Sequence, residues 1–229
     1  MYNPATVTMS QSYFLRNHAR GTGGVFSGNN IKFILSLQCF FKNNSAERKG
    51  GVISVMVGKS VSNINSSFHQ NKGSFSGGCY LSDINKVKNS LCMFYMNTAR
   101  GSGAMYIQFC KVVLSSYCEF LNNLVQAHNS NSGAVFVSSV HNSIWNFCKF
   151  KNNGDLGKCG ALYFYKANKA EIVKSLFISN SGTPGGALKA RECIITKTTQ
   201  CTFMYNFGGI YGGAVSALLS QFFTDHYSR

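Results

Sequence analysis

The sequence predicts an all-β protein: a right-handed parallel β-helix, or solenoid, of about eight three-strand coils that occupies residues 1–229 as a single domain. Two observations carry that prediction. One is the phrase [Ser/Cys]-x-Phe-x-x-Asn, which occurs eight times at near-constant spacing. The other is a partner phrase of Gly, a small residue and an apolar run, which follows every copy of the first. A fixed period of this size is the mark of a solenoid or array.

The Phe of the first phrase stands at Phe14, Phe41, Phe68, Phe94, Phe120, Phe150, Phe177 and Phe203, at intervals of 27, 27, 26, 26, 30, 27 and 26 residues. Three residues later comes Asn17, Asn44, Asn71, Asn97, Asn123, Asn153, Asn180 and Asn206. Two residues before each Phe stands Ser12, Cys39, Ser66, Cys92, Cys118, Cys148, Ser175 or Cys201. The glycine of the second phrase is read at 24, 51, 78, 103, 133, 160, 186 and 213. The distance from it to the next Phe is then 17, 17, 16, 17, 17, 17 and 17. One half of the repeat is therefore rigid, and the half between Asn and Gly absorbs insertions. The repeats span residues 10–217, and both ends read as uncapped coils.

Helical repeats place apolar residues at i, i+3, i+4 and i+7, and that spacing is absent. Apolar residues instead lie two apart in short runs bounded by Gly, Asn and Ser, which is strand chemistry. Met105 with Ile107, Val135 with Val137 and Leu162 with Phe164 exemplify the run after Gly. A third run, such as Val112-Val113-Leu114 or Ile194-Ile195, completes the coil. Coils about 4.8 Å apart would stack each Phe on the next in a dry ladder, at about 1.5–3 kcal/mol per buried ring. The Asn is expected to adopt the left-handed conformation at a corner and to hydrogen-bond its copies above and below. Gly-Gly gives a corner too tight for a Cβ. Thr6-Val7-Thr8-Met9 reads as the last strand of a preceding coil. Leu124 to Ser132 forms the one insertion, either a recognition loop or plain length variation.

Twenty-two Lys and Arg against seven Asp and Glu give a formal net charge of +15. A basic surface favours anionic partners or simply keeps a rod soluble. The basic residues are scattered, and no nucleic-acid motif is present. Five of the nine Cys occupy the position two before Phe, where Ser alternates with them. They read as buried packing thiols, because in-register stacked side chains seldom reach disulfide geometry. No Cys-x-x-Cys or similar ligand spacing appears. No charged-then-apolar leader is visible in residues 1–10, and no run reaches the roughly 20 apolar residues of a membrane span.

The eight Phe-x-x-Asn copies, with Gly-Gly-Val at 23–25 and 50–52 and Gly-Gly-Ala at 185–187 and 212–214, resemble the repeat pair of the polymorphic outer membrane proteins. Those are bacterial autotransporter surface proteins, and similar repeats occur in surface-protein families of some protists. Gly-Gly-Cys at 77–79, Ser-Gly-Ala at 102–104 and 132–134, and Cys-Gly-Ala at 159–161 each depart at one position. The resemblance implies a cell-surface or secreted adhesion or recognition module with glycans or surface proteins as partners, and no enzymatic activity.

Two other readings stand beside it. The chain is alternatively a structural spacer or segment of a larger assembly, with further β-helix coils or partner chains at its ends. A polysaccharide-active enzyme is the second alternative. It would need clustered carboxylates for general acid–base or calcium chemistry. Glu47, Asp83, Glu119, Asp155, Glu171, Glu192 and Asp225 instead fall at different phases of different repeats. No Gly-x-Ser-x-Gly elbow occurs, and no catalytic, cofactor or metal residue is assigned.

The candidate binding site is a stripe. In the strand after Gly, the outward position reads Ser27, Ser54, Leu81, Tyr106, Phe136, Tyr163, Lys189 and Ser216. Leu81, Tyr106, Phe136 and Tyr163 thus fall in four adjacent coils, with Lys189 next. A contiguous outward apolar patch marks a contact surface, here for a sugar chain or an extended peptide. Alternatively, the rings stack on each other, or Phe222-Phe223 lies over them.

Overall fold

The computed structural model describes residues 5–127, 130–155, 157–183 and 185–229. Among them there is no helix, and the strands pair in parallel with their counterparts one coil away. The expected parallel β-solenoid of about eight coils is observed.

Each coil runs through four faces. In one central coil these are Ile84–Ser90 on a long face, Met93–Tyr95 on a phenylalanine face, Thr98–Ala99 on a short face and Met105–Gln108 on a glycine face. The long face stacks nine strands, and the phenylalanine and glycine faces stack eight each. Ala5–Ser10 opens the long face against Ile31–Leu37, as expected from its alternation. The two-residue strand is the element beyond the three expected. It lies between Asn and Gly, where the sequence is too short and too variable to show a period of two.

The phenylalanine ladder is built as expected. Phe41, Phe68, Phe94, Phe120, Phe150 and Phe177 are fully buried, and Phe14 and Phe203 are partly buried at the two ends. Consecutive ring centroids lie 4.6–5.0 Å apart, with planes within 19° of parallel. The 30-residue interval between Phe120 and Phe150 keeps a 4.8 Å stack, so its extra residues leave the core register intact. Trp145 fills the adjoining space, 5.9 Å from the Phe120 ring and 6.0 Å from Phe150.

The asparagine ladder is continuous from Asn17 to Asn206. Asn123 shows the unit. Its Oδ1 accepts the backbone N–H and the Nδ2 of Asn97 at 3.1 and 3.0 Å. Its Nδ2 donates to the Phe94 carbonyl at 2.9 Å and to Asn153 Oδ1 at 3.0 Å. Both lone pairs and both amide protons are used, which makes a fully buried amide tolerable. One expectation is corrected here. The left-handed residue of this corner is the one before Asn: Arg16, Asn43, Gln70, Met96, Asn122, Asn152, Ser179 and Tyr205 all have φ between 50° and 57°. The Asn stays out of that region because its amide must lie along the stacking axis. The preceding side chain points to solvent and tolerates the turn at about 1–2 kcal/mol.

The alternation of Ser and Cys two before Phe also has a cause. Ser66 Oγ donates to the Ile64 carbonyl at 2.9 Å, and Cys92 Sγ donates to the Ser90 carbonyl at 3.3 Å. A short hydroxyl or thiol thus closes the turn between the long and phenylalanine faces, and either residue does so. All nine cysteines are buried and free.

The glycine column needs a second correction. Gly51 is stacked on Gly77, and Gly77 on Gly103, while Ser76 pairs with Gly50 and Ser102. The column is therefore 24, 51, 77, 103, 133, 160, 186 and 213. With Gly77 in place of Gly78, every interval to the next Phe becomes 17 residues. A Cβ at Gly77 would meet the Gly103 carbonyl oxygen well inside 3.0 Å, so the column is fixed by close backbone approach.

Two outcomes follow from these ladders. Phe120→Ala should destabilise the fold by about 3–5 kcal/mol, the range for truncating a buried ring, measured by denaturant unfolding. Asn123→Leu should lower the melting temperature by leaving the Asn97 N–H unpaired and by removing one bond each from Asn97 Nδ2 and Asn153 Oδ1, at about 1–3 kcal/mol for an orphaned group. An unchanged melting temperature would mean that the ladder does not stabilise the fold.

Candidate functional site: the outer side of the glycine face

The stripe expected from the sequence is present with one residue exchanged. Leu81 is fully buried in the core, in register with Val55 and Ile107. The outward residue of that coil is Tyr80, which pairs with Ser54 and Tyr106. Counting from Gly78 displaces the strand by one residue, and a one-residue slip moves each side chain to the opposite side of a strand. The observed outward row is Ser54, Tyr80, Tyr106, Phe136, Tyr163, Lys189 and Ser216.

The rings do not lie open. Tyr80 and Phe136 are each 5 % exposed and Tyr163 is 4 % exposed, while Tyr106 is half-buried. Tyr80 stacks on Tyr106 at 5.5 Å, Tyr106 tilts against Phe136 at 4.9 Å, and Phe136 meets Tyr163 at 5.2 Å and 60°. Phe75, from the corner beside the stripe, sets its edge against both Tyr80 and Tyr106. Lys49 lies over the Tyr80 ring at 4.7 Å. Phe136, Cys159 and Tyr163 form a small second core outside the main one. Phe222–His226 pairs with Ile195–Thr199 on the long face, so the terminal Phe222-Phe223 contributes nothing to this cover. The corner segments between the short and glycine faces do the covering.

Those corners also frame a groove of about 360 Å³, lined by Tyr106, Phe136, Tyr163 and Tyr165 with Asn131, Ser138, Lys158 and Arg191. Asn131 comes from the insertion. His128 and Asn129 of that segment lie outside the described residues, as does the side chain of Asp155. Tyr165 and Arg191 belong to a second outward row, Gln108, Ser138, Tyr165 and Arg191, two residues beyond the first. The sequence reading missed this row. Its signal was the apolar-polar alternation of each glycine-face strand carried one step further. Tyr80, of the first row, accepts a hydrogen bond from Gln108 Nε2 at 2.9 Å.

The electrostatics of the groove are one-sided. Among the described residues no carboxylate lines it. Lys189 is 3 % exposed, and its ammonium lies over the rings of Tyr163 at 5.2 Å and Tyr211 at 5.9 Å. Burial holds its pKa below the usual lysine value. Cys159 acts in the opposite sense, and the cations Lys158 and Arg191 add to the lowering. Arg191 stacks near Tyr165 and donates through Nε to Glu192 at 3.1 Å. Burial pushes the Tyr163 hydroxyl up to about 12. Away from the groove, Glu119 and Lys149 of neighbouring coils meet at 3.6 Å as a partly exposed pair, worth little.

Among the described residues no cluster of three or more His, Cys, Asp or Glu could hold a metal ion, and no helix is long and apolar enough to cross a membrane. The stacked faces and repeat ladders define the chain as a parallel β-solenoid repeat protein. Comparison with family models, curated proteins and solved structures finds no match.

The buried thiols set a pH dependence. Burial raises Cys110 and Cys159 to about 12, and the neighbouring Cys148 thiol together with burial does the same for Cys118. The folded protein keeps protons that the unfolded chain loses near 9, so stability falls as pH rises through that interval. Lys189, shifted the other way, offsets one group at most. The melting temperature should be level from about pH 7 to 9 and decline above it, and the native thiols should resist alkylation until the chain unfolds. Rapid labelling of native Cys118 at pH 8 would contradict the burial.

Proposed function

We propose that this chain is a non-catalytic recognition module carried at a cell surface, of the polymorphic outer membrane protein type, and that it binds glycans or surface proteins through the groove on its glycine face. The observation that carries the reading is the composition of that groove. Phenol rings, an amide, a hydroxyl and two cations converge on one concavity, with no carboxylate among the described residues that line it. A concave site with a few convergent polar groups is the usual form of a ligand site. General acid–base hydrolysis of a glycosidic bond would require paired carboxylates there. The repeat resemblance supports the cell-surface placement.

A structural spacer is the second reading. It is favoured by the closure of Tyr80, Phe136 and Tyr163 on one another, since interlocked rings stabilise the sheet without any ligand. The two separate on an array of glycans and cell-surface proteins. A Tyr106→Ser/Tyr165→Ser variant changes the two rings that are only partly buried. With its fold verified by circular dichroism, it should lose about tenfold or more of the wild-type binding, as expected when aromatic anchors are removed. Equal binding by both proteins would move recognition off this face, and no binding by the wild type would favour the spacer.

A further inference from the structure

We propose that the basic end of the groove is a subsite for the acidic group of an anionic saccharide, a carboxylate or sulfate held by Lys158 and Arg191 beside the covered ammonium of Lys189, with the sugar ring against Tyr163 and Tyr165. The proposal rests on the recognition reading above and names the ligand class for it.

The first argument is an unmatched cation. Lys189 is almost wholly covered, and among the described residues no carboxylate lies within 4.0 Å of it. A desolvated ammonium ordinarily has an anionic partner or a set of acceptors. Here it has two ring faces and two like charges beside it. Glu192, the acid of this end, already accepts from Arg191 and lies 3.6 Å from Lys166. The three cations repel one another, and an incoming anion relieves that repulsion. The exposed lysines of the long face, Lys86, Lys88 and Lys111, are solvated and set up no such demand.

The second argument is shape and sequence along the groove. The row leading to Arg191 is Gln108, Ser138 and Tyr165 in successive coils, and Asn131 lines the same concavity as Ser138 and Tyr165. Neutral donors and acceptors followed by a ring and then a guanidinium match a hydroxyl-rich chain that ends on an acidic substituent. A peptide adding a strand needs an open sheet edge, and these central strands are paired on both sides. A nucleic acid needs cations tracking its backbone over many phosphates. This cluster is confined to two neighbouring coils. The volume of about 360 Å³ is near the small end for a ligand site and takes one or two sugar units.

The test titrates the purified 229-residue chain with an oligogalacturonate, a sulfated heparin oligosaccharide and a neutral oligogalactan of equal length. At least one acidic form should bind about tenfold or more tightly than the neutral one, the scale of hydrogen bonds to a charged group. The preference should vanish in Lys158→Gln/Arg191→Gln and persist in the long-face control Lys86→Gln/Lys88→Gln. In the wild-type protein the bound acidic sugar should shield Lys158 from acetylation while Lys86 stays reactive, a readout independent of whether any variant folds. Equal affinity for neutral and acidic sugars would overturn the proposal. So would equal losses in both charge variants, or tighter binding of single-stranded DNA or an acidic peptide. Neutral-sugar binding that Tyr106→Ser/Tyr165→Ser abolishes would leave the recognition reading standing without the anion subsite. No binding of any saccharide, with no shielding of Lys158, would remove the subsite, and the surface-protein half of the recognition reading would then be decided by the array.

Discussion

The fold depends on one demand: a primary amide sealed in a dry interior must use all four of its hydrogen-bonding positions. Asn123 does so only because Asn97 and Asn153 sit at the same phase of the coils on either side. A coil slipped by one residue would leave an amide oxygen and a backbone N–H unpaired on each side of the slip, at several kcal/mol in all. The phenylalanine stack alone could not impose this. Dispersion between rings is tolerant of small sliding, and about 0.5–1.5 kcal/mol per stacked pair would not reject a neighbouring register by itself. The ladder fixes the phase, and the rings and glycine corner then fall into line.

The same demand explains which part of the coil varies in length. Between Gly and the next Asn the chain crosses the glycine, long and phenylalanine faces, and an extra residue there would displace the core. Between Asn and Gly the chain makes one two-residue strand and a corner. Extra residues in the fifth coil are set outside the stack, and Phe150 still lies 4.8 Å from Phe120. The corners carry Lys49, Phe75, Asn131, Lys158 and Tyr211, and these are the residues that cover or frame the outer glycine face. Length variation is therefore directed to the segment that shapes the groove.

How much of this was legible follows from which residues carry a periodic demand. The Phe and Asn columns could be read from spacing alone, because every coil needs the same side chain there. Leu81 was misread because Ser76-Gly77-Gly78 offers two glycines, and the column is set by backbone contact with Gly51 and Gly103. The 16-residue interval among intervals of 17 was the trace of that error. The left-handed positions before Asn could not be found by residue type, since Arg16, Met96 and Tyr205 share only a solvent-facing direction. The cover over Tyr163 was illegible too, because corner segments of unlike sequence build it.

Charge distribution adds the last constraint. Formal charge of +15 on a rod is inexpensive where lysines stand in water, as on the long face, since solvent and salt screen them. Lys189 occupies a position that Tyr163 and Ser216 hold in the neighbouring coils, and in it the ammonium has lost most of its water. A tyrosine or serine there would pack against Tyr163 without desolvating a charge, so stability alone does not account for a lysine. The cation–π contacts recover about 0.5–2 kcal/mol, set against an effective penalty of several kcal/mol for desolvating a charge. The difference is a standing electrostatic demand at one point of the glycine face. It distinguishes this end of the glycine face from the asparagine ladder inside, where amides such as Asn97, Asn123 and Asn153 find partners in the coils on both sides.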